Sequence, residues 1–308
     1  MQVIAYQDCV PPKNKNPQKS QILPTVITGV RTTGDQADLV HGSQLRRCDV
    51  AVIQGWVHER SSKSRHLELR RNIIQYQKAN GNRTLIADSN LFLYMDPRNP
   101  HNYLRYSFDD VFPNDGEYFD SRVDPCRWQD IARDHGIILK PWRKKGSHIL
   151  ICCQRNGGWS MGKTSVVTWL AKVIIKIRQH SDRPIVVRPH PGDKDAPSYI
   201  GEFHQAGELA NVGISAAGSS LVDDLKHCWA VVNHNSSPAV GAAIEGVPVF
   251  VTDPVRSQCR EIAATDLALI EAPIMPDRQQ WLYKIAMSHW SFADWETGRA
   301  WAHIRQFV

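Results

Sequence analysis

Three short stretches carry side chains able to grip a phosphate or move a proton. Arg188-Pro189-His190-Pro191-Gly192 follows the apolar run Pro184-Ile185-Val186-Val187. An Arg and a His therefore arrive at the C-terminal end of a strand, where open α/β sheets take their ligands. Arg188 can pair with phosphate, and His190 can hydrogen-bond it or a departing group; a lone His at a strand end is otherwise a structural residue. In the second stretch, the apolar run from Trp229 ends in Asn233-His234-Asn235-Ser236-Ser237-Pro238, with Gly246-Val247-Pro248 leading into another strand. Pro238 suits a helix start. The first turn of that helix, with the Ser236 and Ser237 hydroxyls and Asn235 beside it, reads as an anion site.

The third stretch, Gly157-Gly158-Trp159-Ser160-Met161-Gly162-Lys163-Thr164, satisfies the P-loop pattern between a strand and a helix. One reading is therefore a P-loop ATPase or nucleotide-binding protein. Such an enzyme also needs an acid ending a neighbouring strand to hold Mg²⁺. The nearest candidate, Asp253, precedes Pro254, and Trp159 crowds the wrap around phosphates. The preferred reading keeps the same physics in a weaker form. A Gly-rich turn comprising Gln154, Arg155, Gly157, Gly158, Ser160 and Gly162 offers N–H groups to a diphosphate at a helix head. Asp193-Lys194-Asp195 imitates a metal-binding triplet, but it lies in a turn after Pro191-Gly192, where acids are common. No metal is expected.

For the proton taken from an attacking hydroxyl, Asp88, ending Arg83-Thr84-Leu85-Ile86-Ala87, is the chosen base, with Asp109 and Asp110 as rivals. The alternative for Asp88 is a cap or turn residue. Residues 1–83 hold 13 Lys and Arg against 6 acids, an excess larger than the +6 of the whole chain. A polyanionic partner is permitted, and a solvated basic face is the plainer reading. If the partner is DNA, Lys13, Lys15, Lys19, Arg46, Arg47, Arg65, Arg70 and Arg71 supply phosphate contacts. A target base has to leave the stack, and Trp56, Tyr103 or Phe108 could stack on it unless they are core.

The elements that must position these groups alternate between strand-like and helix-like, which predicts parallel sheets covered by helices. Strands are expected at 1–6, 49–57, 83–87, 147–154, 183–188, 212–215, 229–233 and 247–252. Helices are expected at 64–79, 127–135, 163–179, 197–206, 221–227 and after Ser237. Residues 13–21 read as a polar loop and 96–124 as irregular, while 277–307 reads as two Trp-rich amphipathic helices. At 308 residues the chain has room for two domains. No apolar run approaches a membrane span, the start lacks a leader pattern, and seven scattered Cys suit reduced thiols. The expectation is a cytoplasmic protein.

Over residues 147–253 the sequence resembles the nucleotide-sugar domain of GT-B glycosyltransferases, particularly the capsule-polysaccharide, Kdo transferase-like group. The likeness is carried by the strand-His-Pro element and, about forty residues on, the strand-Asn-Ser-Ser-helix-Gly-x-Pro-Val element. It implies that His190, Ser236 and Ser237 face the donor phosphates, and that the donor is a nucleotide-sugar, a UDP-sugar first. Relatives carry a ribose-holding Glu at the position occupied here by Gly241, whereas Glu245 falls elsewhere on the helix. The implied fold is two Rossmann-like domains facing each other across a cleft. They comprise an acceptor domain at 1–142 and a donor domain at 143–276, with helices at 277–308 packing back on the first. The chain is also similar to phage-encoded glycosyltransferase-like proteins in Gln154-Arg155-Asn156-Gly157-Gly158-Trp159-Ser160-Met161, Tyr103-Leu104-Arg105-Tyr106-Ser107 and Trp295-Glu296-Thr297-Gly298-Arg299-Ala300-Trp301. That likeness implies a hydroxymethylated base in double-stranded DNA as acceptor, modified in the host cytoplasm. Polysaccharide or lipid acceptors are the alternative.

Overall fold

Parallel strands covered on both faces need near-continuous apolar runs, and Val3-Ile4-Ala5-Tyr6 and Val50-Ala51-Val52-Ile53 supply them. A computed structural model of the chain describes every residue except 12–17, 58–63, 156–158, 163, 194–195, 197 and 199–210. It divides into two units. The first comprises Met1–Leu93, Arg98–Asp134 and Leu282–Val308; the second comprises Tyr94–Pro97 and His135–Trp281.

In the first unit β1 (Gln2–Tyr6), β2 (Gln36–Val40), β3 (Val50–Gln54) and β4 (Arg83–Asp88) are parallel. They are continued by β5 (Leu104–Phe108) and, from the end of the chain, β11 (His289–Trp290), both pairing antiparallel. The spatial order is β2-β1-β3-β4-β5-β11. Three of these strands differ from expectation: β5 lies inside the stretch read as irregular, and β2 and β11 were not foreseen. α1 (Gln18–Thr32) replaces part of the polar loop. Its Pro24 cannot donate to the carbonyl of Ser20, and the side-chain amide of Gln7 donates there instead at 3.4 Å. α2 (Arg65–Ala79) follows β3 as expected.

The return of the chain to the first unit is fixed by close packing and buried charge. Gly29 of α1 lies where an added Cβ would stand 2.3 Å from the carbonyl oxygen of Trp295. Trp295 sits in α8 (Phe292–Glu296) and Trp301 in α9 (Arg299–Ile304); both are fully buried in the cluster that also holds Tyr106 and Phe108. Arg127 of α3 (Pro125–His135) donates to both carboxylate oxygens of Asp294, at 3.0 and 2.8 Å, and to the carbonyl of His289 at 2.9 Å.

The second unit holds β6 (His148–Cys152), β7 (Ile185–Arg188), β8 (Val212–Ile214), β9 (Cys228–Asn233) and β10 (Val249–Val251). All are parallel, in the order β8-β7-β6-β9-β10. Counted within the unit this is 3-2-1-4-5, the Rossmann order, which reverses between β6 and β9. α4 (Val166–Arg178) packs Trp169, Leu170, Val173 and Ile177 on the face formed by Ile149, Ile151 and Val232. α5 (Leu221–Asp224) precedes β9, and α6 (Pro238–Ile244) packs against β9 and β10 outside that cluster. α7 (Gln279–Ala286) leads back to the first unit. Among the described residues no helix is long and apolar enough to cross a membrane.

Breaking a buried ion pair strands a charge, so Arg127→Met should cost roughly 3 kcal/mol in chemical denaturation. A loss below about 1 kcal/mol would mean that the pair with Asp294 does not hold the C-terminal helices in place.

Candidate functional site

In an open parallel sheet the reversal of strand order leaves a crevice outside the C-terminal strand ends. In the second unit that position is bordered by the residues after β6 and β9, and three side chains join across it. The Gln154 side-chain amide donates to Asn235 Oδ1, and Asn235 Nδ2 donates to Asp253 Oδ2 at 2.9 Å. Gln154 and Asn235 are both buried. A second line reaches the same carboxylate. The Trp169 indole N–H donates to Thr252 Oγ1 at 2.8 Å, Thr252 Oγ1 lies 2.8 Å from His234 Nδ1, and His234 Nε2 lies 3.8 Å from Asp253 Oδ2. Burial pushes the His234 imidazole below its ordinary pKa, an effect that Arg256 reinforces and Asp253 opposes.

Asn233 anchors the next turn. Its Nδ2 donates to the Ser236 carbonyl at 2.8 Å and to Ser236 Oγ at 3.2 Å, while its own Oδ1 is buried without a hydrogen-bond partner among the described residues. The head of α6 differs from expectation. Pro238 has no N–H, and the N–H groups of Ala239 and Val240 donate to the carbonyls of Ser236 and Ser237. The first turn is thus largely satisfied, so any anion there meets the hydroxyls and N–H groups of Ser236 and Ser237. The Ser237 side chain is exposed and caps nothing.

On the other side of β6, His190 ends the β7 turn with its Nδ1 accepting from the Gly192 N–H at 3.0 Å. Burial, with Arg155 adding to it, lowers its pKa. The ring is then neutral with its proton on Nε2, which leaves Nε2–H as a donor. Arg188 was expected to meet a diphosphate. Its guanidinium is instead paired with Asp224, which also accepts from Ser215 Oγ at 2.6 Å and Ser219 Oγ at 2.7 Å, so its charge is matched within the protein.

Gly157, Gly158 and Lys163 of the Gly-rich turn, and Asp195 of the acidic triplet, lie outside the described residues. Ser160 falls in a 3₁₀ turn (Trp159–Met161) whose Met161 is core, and Gly162 has φ +60°. Helix α4 begins at Val166, and the Ser165 hydroxyl caps it by accepting the Thr168 N–H. A P-loop opens its helix at the Lys-Thr pair so that the first N–H groups face phosphate. Here one of those donors is already taken by Ser165. Among the described residues no group of three or more His, Cys, Asp or Glu gathers as a metal site.

In the first unit Asp88 ends β4 opposite Arg105 of β5, whose guanidinium donates to Asp88 Oδ2. Asp88 Oδ1 makes no hydrogen bond among the described residues. The rivals are turn residues. Asp109 accepts from Arg83 Nε and the Thr84 N–H, and Asp110 accepts from the Phe112 N–H. Of the basic set, Lys19, Arg46, Arg47 and Arg65 are exposed, and Lys13 and Lys15 lie outside the described residues. Arg70 is not a surface cation: it is buried, donating to the Cys9 carbonyl at 3.0 and 2.7 Å and to the Trp56 carbonyl at 3.3 Å. It braces the segments after β1 and β3, the switch point of this sheet. Tyr103 and Phe108 are core rather than stacking platforms, Tyr103 donating to Asp134 and Phe108 packing on Phe119.

Sequence reasoning missed His234, Thr252 and Tyr94. Tyr94 explains Gly241: a Cβ there would stand 2.7 Å from Tyr94 Cγ. The Tyr94 hydroxyl reaches Glu245 at 3.4 Å, and Lys140 also pairs with that carboxylate. Glu245 is thus a buried anchor at the end of α6, and no sequence spacing signals this partnership.

No family model matches the chain, and no curated protein matches it. Solved structures do. The Thermosulfurimonas dismutans KpsC β-Kdo 2,7 transferase matches with a TM-score of 0.53 and 12% identity over 99% of this chain and 100% of that one. The β-Kdo 2,4 transferase of the same organism's KpsC matches with a TM-score of 0.50 and 14% identity over 89% and 90%. The chain shares their GT-B fold. At this identity the likeness concerns the fold alone, and it agrees with the Kdo transferase-like resemblance of the donor motifs.

Two outcomes test the site as built. Gly241→Ala should cost about 1–3 kcal/mol by overpacking, and should be nearly neutral in a Tyr94→Ala background; equal cost in both backgrounds refutes the contact. His190 and His234 have folded pKa values below their ordinary 6.5. The unfolded chain therefore binds more protons as pH falls through 6.5, and stability is lost in that direction. The melting temperature should fall below about pH 6.5, with a shallower slope in His190→Asn/His234→Asn; an unchanged slope rejects the assignment.

Proposed function

We propose that the protein is a glycosyltransferase that moves a sugar from a nucleotide-sugar, UDP-linked by the resemblance, to an acceptor hydroxyl. The observation that carries the reading is the reversal of strand order between β6 and β9, with the His-Pro and Asn-Ser-Ser turns at the strand ends on either side, in a fold shared with two Kdo transferases. In this reading the acceptor oxygen bonds to the anomeric carbon as the bond to the leaving phosphate oxygen breaks. Asp88 takes the acceptor proton on its free Oδ1. His190 Nε2–H and the Ser236 and Ser237 hydroxyls and N–H groups stabilise the charge gathering on the diphosphate. Asn233, Asn235 and Gln154 hold those turns in place. No step is assigned to a metal.

The finer reading of the acceptor is a hydroxymethylated base in double-stranded DNA. It is supported by the exposed Lys19, Arg46 and Arg47, by the basic excess of residues 1–83, and by the resemblance to phage-encoded proteins. Lys13 and Lys15 complete the proposed contact set; Arg70, being buried, leaves it.

A nucleotide-sugar should raise the melting temperature of the full chain by mass action. Asp88→Asn should keep that shift while lowering turnover on the order of 10²–10⁴-fold, and His190→Ala should lower turnover on the order of 10²-fold. Turnover should survive EDTA. A panel of nucleotide-sugars giving no shift rejects the reading. For the acceptor, duplex binding should weaken on the order of a hundredfold between 50 and 200 mM salt if about four phosphates are contacted. Indifference to DNA, with sugar transfer to a glycan or lipid, decides for the other acceptor class.

A further inference from the structure

The hydrogen bonds between Gln154, Asn235 and Asp253 have a direction. A carboxylate only accepts, so Asn235 must turn its NH₂ to Asp253 and its oxygen to Gln154. Gln154 must then turn its NH₂ to Asn235 Oδ1, which leaves Gln154 Oε1 as the open end. The second line reinforces the first. Because an indole only donates, Thr252 Oγ1 accepts from Trp169 and gives its own proton to His234 Nδ1, so His234 Nε2–H also faces Asp253. Asp253 is thereby held as an acceptor from both sides. Gln154 Oε1 makes no hydrogen bond among the described residues and is not among the enclosed atoms. It sits two residues beyond Cys152, which pairs in register with Asn233, at the reversal of strand order.

We propose that Gln154 Oε1 is an orientation-locked hydrogen-bond acceptor that selects an N–H or O–H donor on the nucleoside part of the ligand, and is not a phosphate contact. The inference rests on the nucleotide-sugar reading above. An amide oxygen that cannot flip repels a phosphate oxygen, whereas ribose hydroxyls and the amino groups of bases present hydrogens to it. Asp253, Asn235 and His234 act through Gln154 as positioning residues. A site built to receive a donor discriminates against the analogue lacking it, because the acceptor is left unpaired once the bound ligand covers it.

The test is calorimetric titration of the full chain with paired nucleoside monophosphates. Ribose against 2′-deoxyribose removes a sugar hydroxyl; CMP against UMP and AMP against IMP exchange an amino donor for a carbonyl acceptor. The wild type should prefer the donor-bearing member of one kind of pair by about tenfold, and which pair responds identifies the source of the hydrogen. Gln154→Met should bring that preference within about twofold by weakening the donor-bearing ligand alone. Asp253→Asn, which permits the amides to flip, should erode it partly, and it carries the test if Gln154→Met does not fold. Binding by the wild type without either preference, or a preference that survives Gln154→Met and Asp253→Asn, overturns this inference and leaves the nucleotide reading standing. Failure to bind any of the nucleotides or nucleotide-sugars overturns both.

Discussion

In a parallel sheet, two neighbouring strands whose following connections leave on opposite faces cannot close the space above their C-terminal ends. β6 and β9 are such a pair. The helix after β6 packs on the face of Ile149 and Ile151, whereas α6 packs against β9 and β10 outside that cluster. The backbone polar groups at the mouth have no ladder to join, so side chains must satisfy them. Asn233 does so for the Ser236 turn, and the Gln154, Asn235 and Asp253 amide line ties the two sides of the opening together. Among the described residues, the groups that remain unpaired there stand in definite orientations, which is what recognition of a polar ligand requires.

Elsewhere in the molecule several arginines are held by partners inside the protein. Arg127 is held by Asp294, Arg188 by Asp224 and Arg105 by Asp88, while Arg70 and Arg278 are held largely by backbone carbonyls. Buried charges survive only when paired or fully hydrogen-bonded. Each of these arginines therefore works as a strut. Arg70 spans the segments after β1 and β3, and Arg188 fixes the end of β7 to the segment that leads into β9. The buried thiols are equally quiet: burial pushes Cys9, Cys153 and Cys228 up to about 12, so these three serve as small core groups. With these arginines and buried thiols committed to architecture, the groups that stay free among the described residues include the His190 ring, the Ser236 and Ser237 hydroxyls, one oxygen of Asp88 and one of Gln154.

Where apolar runs were long and bounded by polar or turn residues, reading along the chain worked. β1, β3, β4, β6, β7, β9 and β10, the helices α2 and α4, and the two-unit α/β class were all legible that way. The elements it missed share a cause, because their stability comes from distant partners. β5 and β11 pair with each other across nearly two hundred residues of chain. α1 contains a proline whose cost is offset by a side chain from the preceding segment. Tyr103 and Phe108 looked available for stacking because nothing local reveals that α3 and Phe119 cover them.

The sequence by itself determined the periodic apolar runs, the alternation of strand and helix, and the presence of His, Ser and Asn at strand ends, because these depend on residues near one another in the chain. Tertiary structure alone decided which of those polar groups are spent and which are free. Asp224 claims Arg188, Cys9 claims Arg70, Tyr94 demands a glycine at position 241, and Asp253 sets the direction in which Gln154 presents its oxygen. Hydrogen-bond direction and charge pairing act over a few ångströms of space, and spacing along a chain carries no record of which distant groups will be brought that close.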